Sequence, residues 1–586
     1  MKKNKILSIL STFLILSSVI PSNAAGGYEP GIYKETNNEA KTYQYQEITF
    51  VTGKPVLLTG TLTRTVIDRQ KEDDLLTGEL DKAKKQLERN DRRNRRNNRN
   101  NRNNRNNNQK NNDQNNKETL LPSMQQEPEV NYKGTKITEK YELSGGGVKI
   151  NRQVSITPEN KYYAGQIVQN LKVTKVDETI NTGGKTYNLV PDLSEISESV
   201  VIDKKPAIDY YAGNANFYKV YTEGSANRNA PEAGKLIIQM DGKSAGYDEF
   251  WGKTQTKTMN YTINTIPAEN AAQNSGNRNN QNAGNRNNRN AGNQNADNQN
   301  GQNAQGAQNG EVNGTYTVKL SQNSIKDLVY SDNDPKKISF SGGYGVTLQN
   351  SSAMQYSYDI NGVQGTGSAE LENLPEIQRL FAPVLTDVQG HYAQEPIKVV
   401  TSMNGFDSQK NMFLPNAYIS RDEFARAVVV VAGIYNNKTD ASTARKNTSR
   451  LKQELFSDIK TLDPNYDYVK KAVETKLMIG TDGNKFEPKK PLTKAEALTI
   501  LTNSLGLEVL IPNGQFSTGF EDEADIPDWA YNSAYIAQNT GLVDRGGTLL
   551  PNSYLTKADA AELLLRYVEY MTGGLKEDYM QRILNY

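Results

Sequence analysis

The sequence contains no cysteine and a single histidine, His391. The first absence excludes disulfides, thiolate metal sites and cysteine nucleophiles. The second excludes a multi-histidine metal centre and leaves one imidazole for acid–base chemistry. Charge of one sign is lacking too: 69 lysines and arginines face 67 aspartates and glutamates, a net +2. No global field therefore directs the chain to nucleic acid. Hydrophobic residues make up only 35%, and mean hydropathy is −0.75. A packed globule of this length is less polar, so part of the chain is expected to be solvated. After residue 20 no apolar run approaches the roughly 20 residues of a membrane span, and none is expected in the mature chain. No motif calls for a cofactor or a metal. Among the acids no pair stands out for glycoside hydrolysis.

Near the start, Lys2, Lys3 and Lys5 precede an apolar stretch from Ile6 to Ile20, then Pro21 and Ser22-Asn23-Ala24. This is the layout of a secretory signal peptide, residues 1–24, cut after Ala24. Two segments then break the composition. Residues 90–116 are almost wholly asparagine, arginine and glutamine, and residues 271–310 add glycine and alanine. Neither has apolar surface to offset an ordering entropy of about 1–2 kcal/mol per residue, so both are expected to be disordered. The first carries seven arginines between Arg92 and Arg105. They read as a solvated spacer, with a polyanion grip as the alternative.

The stretches around these segments (25–89, 117–270 and 311–374) read as strand. Val312, Gly314, Tyr316, Val318 and Leu320 alternate with polar residues, as do Leu58, Leu62 and Val66, and Leu236, Ile238 and Met240. Period two marks strands with one buried face. Glycine clusters at 145–147, 183–184 and 342–343 mark turns. The expected architecture is an all-β, sandwich-like region with the asparagine-rich segments inserted in its loops.

From residue 375 the pattern becomes helical and repeats three times (375–436, 451–510 and 516–572), with a tail at 573–586. Each repeat opens on an aspartate: Asp387, Asp458 and Asp522. An aromatic follows: Tyr392, Tyr468 and Trp529. Then come Phe413-Leu414-Pro415, Phe486-Glu487-Pro488 and Leu549-Leu550-Pro551, with a cation six positions past each proline: Arg421, Lys494 and Lys557. A period near 60 residues signals a repeat architecture. Ser420 with Glu423, Thr493 with Glu496, and more weakly Thr556 with Asp559, have the spacing of a capping box. The helices that follow carry Phe424, Val428 and Val431; Leu498, Leu501 and Leu505; and Leu563, Leu564, Tyr567 and Val568 on one face. A cation in a first helical turn opposes the macrodipole. Its recurrence suggests an anion held jointly with the helix N-terminal amides, or else basic side chains snorkelling at a solvated edge.

These stretches resemble S-layer homology (SLH) domains. The resemblance rests on Gly390-His391-Tyr392-Ala393, on Asp482-Gly483-Asn484-Lys485-Phe486-Glu487-Pro488 and on the three cap motifs. It covers about one third of the chain. It implies an all-α pseudo-threefold trimer of repeats around a three-helix core. Grooves between the repeats would bind secondary cell-wall polysaccharide, often pyruvylated. Arg421, Lys494 and Lys557 would face the polymer's charge. Asp387, Asp458, Asp522, Tyr392, Tyr468 and Trp529 would line the grooves or support them. The third repeat lacks the Asp-Gly-x-Phe pattern, and two of the cations are lysines without arginine's bidentate fork. The resulting expectation is a non-catalytic bacterial cell-surface or S-layer protein, bound to the wall through three repeats and able to self-associate in a layer. The alternatives are an anchored adhesin, or an anchored polysaccharide hydrolase.

Overall fold

The computed structural model describes residues 31–37, 42–65, 69–105, 128–163, 165–224, 234–268, 311–331, 343–372, 374–407, 411–435, 455–481 and 484–583. The signal peptide and the segment 271–310 lie outside these residues. The chain forms an N-terminal all-β region, interrupted by one long helix, and a C-terminal helical region.

The β region is one continuous antiparallel sheet of sixteen strands, where a sandwich of separate sheets was expected. Most strands pair with their sequence neighbours. The sheet curls until its first strand, Gly31–Asn37, lies against late ones: Gln322 Nε2 donates to Gly31 O (3.5 Å), Ser352 Oγ to Tyr33 O (3.2 Å) and Lys34 Nζ to Glu372 O (2.6 Å). The enclosed face is the alternating one. Leu58, Leu62, Leu236, Ile238, Met240, Val312, Tyr316, Val318 and Leu320 are all buried in a single cluster. The same face carries buried charges in register with them. In Ile137–Gly145 the inward residues are Ile137, Glu139, Tyr141 and Leu143. Arg64 pairs with Glu139, and Arg152 lies between Glu47 (2.9 Å) and Glu178 (2.8 Å).

Helix α1, Arg69–Arg105, corrects the expectation of disorder for the described part of the arginine-rich segment. The helix is seeded at its N-terminal end. Leu76 packs with Val130, Tyr162 and Ile167, and Glu72 Oε1 accepts from Thr135 N (2.8 Å). Once nucleation has been met by that packing, elongation adds one hydrogen bond per residue. The arginines are good helix formers.

Among the described residues the helical region contains six principal helices: α2 (Gln394–Ser402), α3 (Arg421–Val431), α4 (Tyr466–Glu474), α5 (Lys494–Leu505), α6 (Asp528–Asn539) and α7 (Lys557–Glu569). The first helix of each repeat packs on the second helix of another: α2 on α7, α4 on α3, and α6 on α5. Phe424, Val428, Leu501, Leu564 and Tyr567 are fully buried between them. At the N-terminal ends of α3, α5 and α7, three backbone bonds close a circuit. Ile419 N donates to Leu555 O, Leu555 N to Leu492 O, and Leu492 N to Ile419 O, at 3.0–3.1 Å.

The opposite, C-terminal ends of these helices meet the β region. Trp251 Nε1 donates to Val431 O (2.7 Å), Ala207 N to Ser504 O (2.9 Å) and Tyr210 Oη to Leu505 O (3.0 Å). Carbonyls that a helix end leaves without partners are thus satisfied from the sheet. Ala207, Ile208, Tyr247 and Trp251 belong to the same apolar cluster as the helices. Gly506 ends α5 at φ 63°, and a Cβ there would meet the Lys205 side chain at 2.5 Å. The C-terminal residues join this contact: Tyr579 stacks on Tyr210 (6.1 Å) and meets Tyr247 edge-on (5.0 Å). Residues 573–583 are therefore a packed element and not a loose tail.

Candidate functional site

All three capping motifs close as capping boxes. Thr493 N donates to Glu496 Oε2 (2.8 Å) while Glu496 N donates to Thr493 Oγ1 (3.2 Å). Thr556 N donates to Asp559 Oδ2 (3.2 Å) with Asp559 N to Thr556 Oγ1 (3.1 Å), and Ser420 N donates to Glu423 Oε2 (3.2 Å). One carboxylate oxygen of each acid is thereby committed to its own helix. The other oxygen faces the neighbouring repeat, where the first-turn cations stand.

What it meets there differs among the three. Lys557 Nζ bonds Glu423 Oε1 at 2.5 Å. Arg421 lies 3.9 Å from Glu496 Oε1 and is otherwise absorbed by structure. Its Nε donates to Phe486 O (3.1 Å), its Nη2 to Ile479 O (3.1 Å), and its guanidinium sits 5.1 Å from the Phe486 ring centre. Arg421 is buried, at 8% exposure. Lys494 faces Asp559. This acid is one methylene shorter than glutamate, and its outward oxygen accepts the Tyr392 hydroxyl at 2.6 Å. Lys494 has no ion pair or hydrogen bond from its ammonium among the described residues. Burial pulls the Lys494 ammonium below the usual lysine range, and the nearby Asp559 and Asp522 offset only part of this.

The three leading aspartates are brought together with the loops before the prolines. Asp387 accepts from Phe413 N (2.9 Å) and Leu414 N (2.7 Å); Asp458 from Phe486 N (2.8 Å) and Glu487 N (2.7 Å); Asp522 from Leu549 N and Leu550 N (2.7 Å each). Leu414, Glu487 and Leu550 each have φ between 56° and 61°, a left-handed backbone that costs a non-glycine residue of order 1–3 kcal/mol. The carboxylates hold these turns. Burial pushes their pKa up, but the backbone N–H donors outweigh it and keep all three below the usual aspartate range. A depressed folded pKa gives stability that is present above the unfolded value of about 3.9 and is lost as pH falls through the folded one. Asp458→Ala is therefore expected to lower unfolding free energy by about 1–3 kcal/mol at pH 7. Its thermal midpoint should converge with that of the wild type in acid. A difference that stayed constant down to about pH 2 would contradict the assignment.

The aromatics divide. Tyr392 is 67% exposed and Trp529 57% exposed. Both stand at the start of their helices. Left-handed residues after each first helix (Asn404, Lys476 and Gly541) fix the register. Counting back twelve positions from them (404 to 392, 476 to 464, 541 to 529) aligns Tyr392 with Pro464 and Trp529. Tyr468 is therefore not the third member of the set. It lies one turn further on, packed 4.5 Å from Tyr435 and beneath the Arg426 guanidinium. His391 lies beside the start of α2, where its Nδ1 accepts from Ala393 N (3.2 Å). The acids that face the cations, Glu423, Glu496 and Asp559, were read from sequence as capping-box partners and not as neighbours of the cations. The signal for them was present, since an acid stands two positions after each cation.

Comparison with known proteins bears on this region. Residues 455–498, which span Asp458, Lys494 and Glu496, match the S-layer homology domain family. An endoglucanase from Bacillus sp. (strain KSM-635) is 29% identical over 146 residues, covering 25% of this chain and 15% of that protein. The surface-layer 125 kDa protein of Lysinibacillus sphaericus is 29% identical over 153 residues, 25% of this chain and 13% of the relative. An S-layer protein of Bacillus thuringiensis subsp. finitimus is 30% identical over 139 residues, covering 24% and 16%. The chain thus spans about one sixth or less of the length of these relatives.

Proposed function

The chain carries an S-layer homology domain, and from this premise we propose that it is a cell-surface protein held non-covalently to an anionic secondary cell-wall polysaccharide, with Lys494 as its principal polymer-binding cation. The single observation that carries this reading is the contrast among the three cations. Lys557 is paired with Glu423 and Arg421 is spent on Phe486 and Ile479, whereas the Lys494 ammonium makes no ion pair or hydrogen bond among the described residues, with Asp559, Asp522 and Asp544 acting on it only from a distance. The three repeats, 375–436, 451–510 and 516–572, form a pseudo-threefold trimer in this reading. The closed circuit through Ile419, Leu492 and Leu555 supports it. Asp387, Asp458 and Asp522 serve the turns that shape the grooves, while Tyr392 and Trp529 remain open to polymer. The relatives bear names as different as an endoglucanase and two surface-layer proteins. This supports a shared anchoring module more than a shared catalytic one. The β region then acts as a non-catalytic surface component of the envelope.

The test uses the full chain and isolated walls, before and after extraction of their secondary polymer, at about 0.1 M and about 1 M salt, between which the screening length falls from about 10 to 3 Å. Binding to unextracted walls, weakened at the higher salt, is the expected result. Equal binding to extracted walls would contradict the reading.

A further inference from the structure

Two tyrosines apart from the cations and leading aspartates stand together at the N-terminal ends of α3, α5 and α7. Tyr418 is 58% exposed and Tyr554 49% exposed, and their ring centres lie 5.6 Å apart at 60°. A single exposed aromatic needs no explanation. A pair held edge to face with half its surface in water is different, because such rings ordinarily bury one another's apolar faces. The backbone that carries the pair is held on both sides. Tyr418 bridges Thr556, and Tyr554 bridges Thr493, through the backbone. Ser420 bridges Pro491, so the equivalent position in the second repeat holds a proline.

The location gives the pair its meaning. Lys494 N donates to Ser553 O at 3.0 Å, next to Tyr554, and Lys557 N donates to Ala417 O at 2.8 Å, next to Tyr418. Tyr554 thus follows a residue bonded to the first turn of the Lys494 helix, and Tyr418 one bonded to the first turn of the Lys557 helix, so the ring pair lies between the two cation-bearing helix starts. They lie at the end away from the sheet, which caps the C-terminal ends of α3 and α5. A pyranose ring has the matching chemistry: a face of C–H groups that packs on an aromatic ring, and a rim of hydroxyls that a phenol can bond.

We propose that Tyr418 and Tyr554 form a stacking platform for neutral sugar units of an anionic polysaccharide whose charged unit occupies the Lys494 groove. The proposal rests on the anchoring reading above. It adds a second, uncharged contact that sets how much of the polymer the protein grips.

The experiment is binding of the full chain to soluble polymer released from walls by mild acid, at about 0.1 M and about 1 M salt. Tyr418→Ala/Tyr554→Ala is expected to weaken binding about tenfold, or about 1.4 kcal/mol, at both salt concentrations, leaving the salt dependence unchanged. Tyr418→Phe/Tyr554→Phe keeps the ring faces and is expected to retain most of the affinity. Independently of any variant, bound polymer should protect both tyrosines of the wild-type protein from nitration, read by mass spectrometry. If the wild type binds, the alanine variant binds equally well and nitration proceeds unprotected, the platform is overturned while the anchoring reading stands. If the wild type fails to bind the polymer at all, both fall together.

Discussion

Trp251→Ala is expected to lower the unfolding free energy by about 3–5 kcal/mol, a large share of the roughly 5–15 kcal/mol typical of a folded domain. The indole is 1% exposed and donates to Val431 O at the end of α3. Its removal opens a cavity and leaves a helix-terminal carbonyl without its partner. The effect should not be confined to the sheet, because Trp251, Ile208 and Tyr247 share one apolar cluster with Phe424, Leu501 and Leu564. The chain has two tryptophans, so in this variant Trp529 alone reports on the helical region. The sheet and the Trp529 fluorescence are expected to melt together, at a lower temperature than in the wild type. An unchanged Trp529 transition beside a weakened sheet would show that the two regions fold separately.

Arg152→Ala is the second large effect, expected at about 3–5 kcal/mol because it leaves buried carboxylates without their cation. Arg152 reaches Glu47 through Nη1 (2.9 Å) and Nη2 (3.2 Å), and Glu178 through Nε (3.0 Å) and Nη2 (2.8 Å). Lys219 bonds the second oxygen of Glu178 at 2.8 Å. Burial alone would raise the Glu178 carboxyl, but Arg152 and Lys219 outweigh it and bring it down to about 2. Its contribution is therefore present above the unfolded carboxyl value of about 4.3 and fades as pH falls toward the folded one. Urea unfolding at pH 7 should show the loss. The double variant Arg152→Ala/Glu47→Ala should cost less than the sum of its parts, since the two side chains are in contact. A single-variant effect under about 1 kcal/mol would mean that water, and not Arg152, serves these carboxylates.

Local structure was readable because it depends on neighbours in sequence. Period-two alternation placed Val312 to Leu320 on an inward face, and the Ser/Thr-to-acid spacing located the starts of α3, α5 and α7. The core positions Val428, Leu501 and Leu564 followed from helical spacing. Features set by distant contacts were not readable. The closure of the sheet on its first strand depends on bonds between residues some 300 positions apart, such as Gln322 to Gly31. Helix α1 runs into a segment whose composition alone argues against order, because its base is held by Leu76 and Glu72. Tyr468 resembles Tyr392 in residue type but sits one turn out of register. The three cations look alike in sequence. Their different surroundings rest on Phe486 and Ile479 for Arg421, and for Lys494 on Asp559, whose outward oxygen accepts the Tyr392 hydroxyl.

That last difference carries the account of the site. The direct measurement is the affinity of the full chain for unextracted walls in three variants: Lys494→Ala, Lys557→Ala and Asp559→Glu. Lys494→Ala should weaken binding by at least about tenfold, or 1.4 kcal/mol, and flatten its salt dependence. Asp559→Glu should extend a carboxylate toward Lys494 and weaken binding in the same direction. Lys557→Ala, which removes a cation already paired with Glu423, should bind close to wild type. Equal losses for Lys494→Ala and Lys557→Ala, or a loss confined to Lys557→Ala, would contradict the assignment of the Lys494 groove.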